Sequence, residues 1–265
     1  FGVIIAGYAS ASKWSLFGAM REAAQVVSYE VPLGMCVVVP VMLAGSMDMV
    51  TIAEKQAGWL WNWYLFHDPF TFIVFWVYVT CAVASVNRAP FDLAEAESEL
   101  VAGFHTEYSG LRWSYFFMAE YGSMFLVSAM AAVLFLGGWN GPIPVASLLG
   151  LSTGTGDTAP YLVRLLGLAN LVGKASFGVL IMMWIRWTLP RLRIDQVMTT
   201  CLKYCTPIAA AMFAGAMVWQ VLLPGGLLPG VGRPGGEIRE GWLEGPGGRA
   251  AAAPAAEATV VRTRL

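Results

Sequence analysis

Acidic side chains are concentrated in one segment of the sequence, directly after Arg88. Five acids lie there within sixteen residues, and they are Asp92, Glu95, Glu97, Glu99 and Glu107. If the segment is a helix that begins at Pro90, then Asp92, Glu95 and Glu99 share one face. The helix dipole favours acids in the first turn, which explains only the earliest of the five. Because carboxylates this close cannot all ionise cheaply, the cluster is suited to holding and passing protons.

Three further charged residues lie in apolar segments, where charge is expensive. Glu30 is expected to open the second such segment, Glu120 to lie within the fourth, and Lys174 near the middle of the fifth. A charged side chain at the centre of a bilayer costs about 2.5–3.5 kcal/mol even on the mildest scale. Two interpretations stay open: a proton or ion path, or pairing of these residues with one another or with backbone to join helices.

A basic segment, RWTLPRLRIDQ over residues 186–196, follows the fifth apolar segment. Arg191 and Arg193 lie beside the membrane surface, where they can contact lipid headgroups. They can equally balance the acids after Arg88, which are expected on the same side of the membrane. The sequence alone does not separate these two interpretations.

Motifs for bound cofactors are missing from the sequence. The four cysteines form no CxxC pair and are expected to be small buried residues, and the two histidines are single and are expected in loops. No glycine-rich phosphate loop and no serine-nucleophile spacing occur. We therefore expect the chain to bind no nucleotide, flavin, iron–sulfur cluster or metal. The cysteines are Cys36, Cys81, Cys201 and Cys205, and the histidines are His67 and His105.

The composition predicts an integral membrane protein. Of 265 residues, 57% are hydrophobic and 12% are charged, against roughly 25% charged in soluble domains. The mean hydropathy is +0.63. Such a composition excludes a disordered chain, a nucleic-acid-binding module and a typical soluble protein. Five segments reach the ~17–25 residues that a transmembrane helix needs, near 29–47, 69–86, 114–139, 161–187 and 206–223.

These segments predict an all-α fold, a polytopic bundle of transmembrane helices over residues 1–223. About six crossings are expected, the first of them partial, because residues 1–9 look like the end of a helix whose beginning precedes this sequence. Residues 224–265, rich in Gly, Pro and Ala, are predicted to form a flexible tail. Lys and Arg favour alternate loops, so loops 10–28, 87–113 and 186–204 are expected to be cytoplasmic or matrix-facing.

Several motifs, in order along the chain, resemble one known family. They are SYEV at 28–31, NRAPFDLAEAESEL at 87–100, GFHTEYSG at 103–110, MAEY at 118–121, and the basic segment at 186–196. They are similar to the H subunit of bacterial NADH–quinone oxidoreductase, the family of NADH dehydrogenase subunit 1 in mitochondrial respiratory complex I. The match extends from about residue 7 to residue 223, and the length of the motifs makes it specific.

The resemblance implies an eight-helix subunit of the bacterial inner membrane, or of the mitochondrial inner membrane if the chain is organellar. Such a subunit joins the redox arm of complex I to its proton-pumping arm and forms much of the quinone cavity. Its substrate would be a quinone, ubiquinone or menaquinone. Its partners would be the peripheral quinone-site and cluster subunits, adjacent small membrane subunits and lipid, with no nucleic acid.

The resemblance and the unusual charges together assign two groups of residues. A proton relay would comprise Glu30, Glu97, Glu99, Glu107, Glu120 and Lys174. The quinone cavity would comprise Arg88, Asp92, Glu95, Phe104, Arg191, Arg193 and Asp195. Partner subunits would deliver electrons from NADH, and the charge created on the quinone would shift the protonation of these acids. One departure concerns Ser85, since many relatives carry a glutamate there and a serine holds no charge.

Two other classes of function are weighed against this one. A homologous ion-coupling subunit of a membrane-bound hydrogenase, or of a dehydrogenase with another electron donor, would share these motifs. An independent secondary transporter would show inverted repeats and interrupted helices in matching positions, and the sequence shows neither. A purely structural anchor leaves the five loop acids unexplained.

Overall fold

The computed structural model of the chain describes residues 2–93, 103–141 and 159–222. Within these ranges the regular elements are all helical. The α-helices are α1 (Gly2–Ala9), α2 (Lys13–Ala44), α3 (Met49–Lys55), α4 (Tyr64–His67), α5 (Pro69–Ser85), α6 (Leu111–Phe135), α7 (Ala159–Thr188), α8 (Ile194–Met198) and α9 (Thr206–Leu222). Short 3₁₀ turns lie at Leu60–Asn62 and Gly103–His105, and a π-helical stretch, Thr199–Cys205, joins α8 to α9.

Four stretches among the described residues are long and apolar enough to cross a membrane, and they are Lys13–Ala44, Leu111–Phe135, Val163–Thr188 and Ile194–Leu222. The apolar helix α5 has 17 residues. The predicted all-α membrane bundle is therefore confirmed. The predicted tail at 224–265 lies outside the described residues.

The predicted loop at 10–28 is wrong, because α2 already begins at Lys13 and runs for 32 residues. Its first half carries a polar stripe at helical spacing, and the stripe is buried: Ser15, Glu22, Gln25 and Ser28. These polar residues lower the mean hydropathy of the segment, so hydropathy predicts a loop there, although the residues face the interior of the bundle. Periodicity at 3.6 residues is the better signal here.

The predicted loop at 186–204 is also too long. Helix α7 continues to Thr188 and α8 begins at Ile194, so only residues 189–193 lie between them. Of the predicted loop at 87–113, α6 already includes the last three residues, from Leu111 onward. Charged and polar residues at the ends of a helix can be helical just as apolar residues can. A prediction from apolar length therefore ends these helices too early, which explains both errors.

Helix α2 is the centre of the packing, since it contacts α1, α5, α9 and the Gly103–His105 turn. The core between α2, α5 and the π-helical stretch includes all four cysteines, which are buried as predicted. Helices α6 and α7 form a second close pair. At their crossing, a Cβ atom added to Gly178 would lie 2.9 Å from the Cβ of Ser128. The glycine therefore sets how closely these helices approach.

Candidate functional site

The turn after α5 is held in place by a glutamine on α2. The Gln25 side-chain amide nitrogen donates to the backbone oxygens of Ala84 and Phe91, at 2.8 and 2.9 Å, and to Oδ1 of Asn87 at 3.0 Å. Asn87 adopts the left-handed conformation, with φ of 56°, which asparagine tolerates better than most residues. This turn carries Arg88 and Asp92 on a fixed backbone.

The helix predicted to begin at Pro90 is not formed, and residues 92 and 93 have no helical structure. The carbonyls that would start such a helix are used elsewhere. The oxygen of Pro90 accepts from the backbone nitrogen of Leu192 at 2.9 Å, and that of Phe91 accepts from Gln25. Tertiary hydrogen bonds thus replace the first helical ones. The shared face of Asp92, Glu95 and Glu99 is not confirmed, since residues 94–102 lie outside the described residues.

Arg88 and Glu120 form an ion pair between this turn and α6. Arg88 is 5% exposed, and its guanidinium also lies 4.9 Å from the ring centre of Tyr121. The sequence leaves open whether Glu120 pairs with another of the membrane charges. The partner found is Arg88, and none of the described ion pairs joins Glu120 to Lys174.

Arg191 and Asp92 form a second ion pair, at 2.9 Å between Nη2 and Oδ2. Together with the hydrogen bond from Leu192 to Pro90, it fastens residues 189–193 to the turn after α5. Arg191 therefore balances an acid of the third loop, in agreement with one of the two interpretations. Arg193 and Asp195 are exposed at the start of α8, where the Arg193 backbone nitrogen donates to the Gln196 side chain at 3.1 Å.

A cavity of about 150 Å³ lies between α1, α6 and the two segments that flank residues 94–102. Its polar wall is formed by Ser85, Asn87, Asp92, His105 and Glu120, and its apolar wall includes Phe104 and Phe116. Burial lowers the pKa of His105 below its ordinary value of about 6.5, because the charged ring would lose water. The cavity thus combines aromatic walls with two carboxylates that are each paired to an arginine.

The remaining predicted site residues lie apart from this cavity or outside the described residues. Glu30 is exposed on α2, and Glu107 is exposed just before α6. Glu95, Glu97 and Glu99 fall within 94–102, for which the structure gives no description. Their predicted roles stay predictions.

Lys174 lies in the middle of α7, and its ammonium reaches the backbone that follows the end of α6. Its ammonium donates to the backbone oxygens of Leu136, Gly138 and Asn140, at 2.5, 3.0 and 2.5 Å. It also lies 4.5 Å from the ring centre of Trp63. The carbonyls at a helix C-terminus attract a cation, so the backbone pairing considered from the sequence is the one that Lys174 makes.

Several residues of the site are not predicted from the sequence, among them Glu22, Gln25, Asn87 and His105. Glu22 and Gln25 belong to the buried polar stripe of α2, and the Asn87 side-chain nitrogen donates to Oε1 of Glu22 at 2.6 Å. The sequence predicts a loop histidine at His105, but this residue is 8% exposed and lines the cavity. The signal that could have found Glu22 and Gln25 is their spacing of three residues on one helix face.

Metal-ligating side chains do not converge in the described part of the chain, where no group of three or more His, Cys, Asp or Glu is placed to hold an ion. The cavity wall itself presents hydrogen-bonding groups, aromatic rings and carboxyl groups.

Comparison with known proteins gives one consistent result. The chain is 42% identical over 225 residues to the H subunit of NADH-quinone oxidoreductase from Anaeromyxobacter dehalogenans, covering 84% of this chain and 54% of that protein. It is 45% identical over 225 residues to the corresponding H subunit of Chlorobium luteolum, covering 84% and 59%. For the H subunit of Chlorobaculum tepidum the identity is 44% over 222 residues, covering 83% and 60%.

The chain spans between about half and three fifths of the length of these relatives. The family model described as NADH dehydrogenase matches residues 1–217. That match includes α1 to α8, both ion pairs and the whole cavity wall. The chain belongs to the NADH dehydrogenase family.

Proposed function

We propose that the chain is part of the membrane subunit of a proton-translocating NADH–quinone oxidoreductase, where it forms the quinone cavity and links quinone reduction to proton movement. The names of its relatives support the complex. The observation that carries the residue-level proposal is the pairing of both cavity carboxylates, Asp92 and Glu120, with the arginines Arg191 and Arg88.

The size and walls of the cavity suit a quinone ring. A volume of about 150 Å³ accepts a benzene-sized molecule. The rings of Phe104 and Phe116 lie edge to face with centres 5.5 Å apart, and such aromatic surfaces pack well against a planar ring. The quinone is the substrate, and electrons would come from iron–sulfur clusters held by partner subunits, since this chain is proposed to hold no redox centre, nucleotide or flavin.

Competition for the two arginines then couples quinone reduction to proton uptake by their carboxylate partners. Two-electron reduction places negative charge on the quinone oxygens, and in a site of low dielectric this charge attracts the nearby arginines. An arginine drawn toward the quinone stabilises its carboxylate partner less, so that carboxylate takes up a proton. Asp92 and Glu120 both line the cavity wall, and carboxyl groups that share a site would titrate as a coupled group.

The same proposal extends to the surroundings of the chain. The hydrogen bond from Leu192 to Pro90 joins residues 189–193 to the turn after α5. The hydroxyl of Ser15, at the start of α2, donates to the oxygen of Phe104 in the Gly103–His105 turn at 3.4 Å. This end of the bundle is proposed to face the cytoplasm and the peripheral subunits. Glu30, Glu107, Arg193 and Asp195 are exposed, so any contribution to the relay or the cavity would be made together with partner subunits.

The test compares two electron acceptors in inverted membrane vesicles that contain the complex with full-length subunit. In Glu120→Gln, NADH–quinone reduction is expected to fall at least about tenfold, while NADH–ferricyanide reduction, which bypasses the cavity, stays unchanged. Glu54→Gln is the matched control, because Glu54 is exposed on α3 and should alter neither reaction. Unchanged quinone reduction in Glu120→Gln would contradict the proposal.

A further inference from the structure

Glu22 is a buried carboxyl group directly behind the cavity wall. It lies on α2 and is 5% exposed. One oxygen, Oε1, accepts from the side chain of Asn87 at 2.6 Å, and Asn87 lines the cavity. The other oxygen, Oε2, is buried and has no hydrogen-bond partner in the described part of the chain.

The orientation of the Asn87 amide is fixed by its neighbours. The Gln25 nitrogen faces two backbone oxygens, so it is the donor, and Oδ1 of Asn87 must be the atom that accepts from it. The Asn87 nitrogen is therefore directed at Glu22. A carboxyl group keeps this hydrogen bond whether it is ionised or protonated, because Oε1 can accept in both states.

The charges that face Glu22 make it sensitive to the cavity. Asp92 in the cavity wall interacts with it electrostatically, as does Tyr29 on the same helix. None of the ion pairs among the described residues gives Glu22 a cation. Ser85, which also lines the cavity wall, holds no charge. Glu22 is thus a buried carboxyl group on α2 within electrostatic reach of Asp92.

We propose that Glu22 exchanges one proton during the reaction of the cavity, an inference that rests on the proposed function. When negative charge arises in the cavity, Oε2 takes up a proton from water, and the carboxylate becomes the neutral acid. When the product leaves, the same O–H bond breaks and the proton returns to water. Asn87 keeps its hydrogen bond to Oε1 in both states and so connects Glu22 to the turn that carries Arg88.

Two substitutions separate proton exchange from a positioning role. Glu22→Gln keeps an oxygen that accepts from Asn87 but cannot ionise, whereas Glu22→Ala removes the acceptor as well. Both are measured in vesicles containing the whole complex, as the rate of NADH–quinone reduction from pH 5.5 to 8.5 and as protons translocated per NADH. Assembly is followed by NADH–ferricyanide reduction.

In Glu22→Gln we expect normal assembly, a drop of about tenfold in quinone reduction, and loss of one ionisation from its pH profile. A Glu22→Gln variant with the wild-type rate, pH profile and proton yield would overturn the inference, and an impaired Glu22→Ala beside it would show positioning alone. Failure of Glu22→Gln to assemble would also count against it. Glu120→Gln distinguishes the two proposals: if it too is normal, the proposed function fails, and if only Glu22→Gln is normal, this inference alone fails.

Discussion

The guanidinium of Arg88, in the turn after α5, pairs with the carboxylate of Glu120 within α6. The pair joins the α2–α5 part of the bundle to the α6–α7 pair at the wall of the cavity. Arg88 is 5% exposed and the Glu120 side chain 18%, so water screens this pair only weakly. Structure and proposed chemistry therefore depend on the same two side chains.

Replacing Arg88 alone should be more harmful than replacing both partners. Arg88→Ala leaves the Glu120 carboxylate without this cation, and removing one member of a buried pair costs about 3–5 kcal/mol. Arg88→Ala with Glu120→Gln removes the charge as well and should recover part of that loss. The measurement is the thermal midpoint of the solubilised complex for both single variants and the double variant. Strictly additive effects would show that the two residues do not interact.

The second ion pair should matter much less for stability. The Arg191 side chain is 37% exposed and that of Asp92 17%, and pairs open to water contribute about 0–1 kcal/mol. Arg191→Gln is expected to lower the thermal midpoint slightly at low salt and not at all at high salt, because salt screens exposed charges. Arg193→Gln, on the same segment, is the control and should change neither. A large, salt-independent loss in Arg191→Gln would contradict this assignment.

His105 gives the stability of the chain a pH dependence of known sign. Burial lowers its pKa in the folded chain, so the unfolded chain binds more protons as the pH falls through the ordinary value of about 6.5. The stabilisation is complete above that value and is lost as the pH falls through the folded-state pKa. In His105→Asn the thermal midpoint should fall less between pH 7.5 and pH 5 than in wild type. If the thermal midpoint changed equally with pH in His105→Asn and in wild type, the pH dependence would belong to other groups.

The fold and the site were predictable from the sequence to different degrees. Apolar length alone located α5, α6, α7 and α9, because a helix in lipid must be long and apolar. It missed the first half of α2, whose polar residues face the interior of the protein and satisfy partners there. Motifs found Asp92, Phe104 and Glu120, which the cavity brings together.

Contacts between residues that are far apart in the sequence could not be predicted from sequence patterns. Gln25 fixes a turn far along the sequence by hydrogen bonds to the backbone oxygens of Ala84 and Phe91, 59 and 66 residues away, and an amide that bonds backbone leaves no motif of its own. Lys174 lies in the middle of α7, but its ammonium bonds the backbone oxygens that follow the end of α6. Only the packing of the two helices reveals that.

The crossing of α6 and α7 depends on the absence of a side chain at Gly178. A Cβ atom there would lie 2.9 Å from both Cβ and Oγ of Ser128, so Gly178→Ala should force the helices apart and cost about 1–3 kcal/mol. Gly173→Ala, five residues earlier in α7, is the matched control, because a Cβ atom there meets nothing within 4 Å. The control should be neutral or slightly stabilising. Equal thermal midpoints for the two variants would show that the crossing tolerates a methyl group.

Lys174 allows a structural role to be separated from a proton-relay role. Its three bonds to backbone oxygens and its contact with Trp63 predict that Lys174→Met lowers stability, since hydrogen bonds to a charged group contribute about 1.5–3 kcal/mol each. Arg164→Met, an exposed cation on the same helix, is the control and should have little effect on stability.

Proton translocation per NADH decides between the two roles. If Lys174 only fastens α7 to the end of α6, the Lys174→Met complexes that do assemble should translocate protons with the wild-type yield. A relay role predicts the reverse: assembled complexes that reduce quinone but translocate fewer protons. Lys174→Arg separates the roles further, because arginine can donate to the same oxygens and hold the helices together while giving up its proton far less readily than lysine. Restored stability with a low proton yield in Lys174→Arg would therefore establish the relay, and restoration of both would establish the structural role.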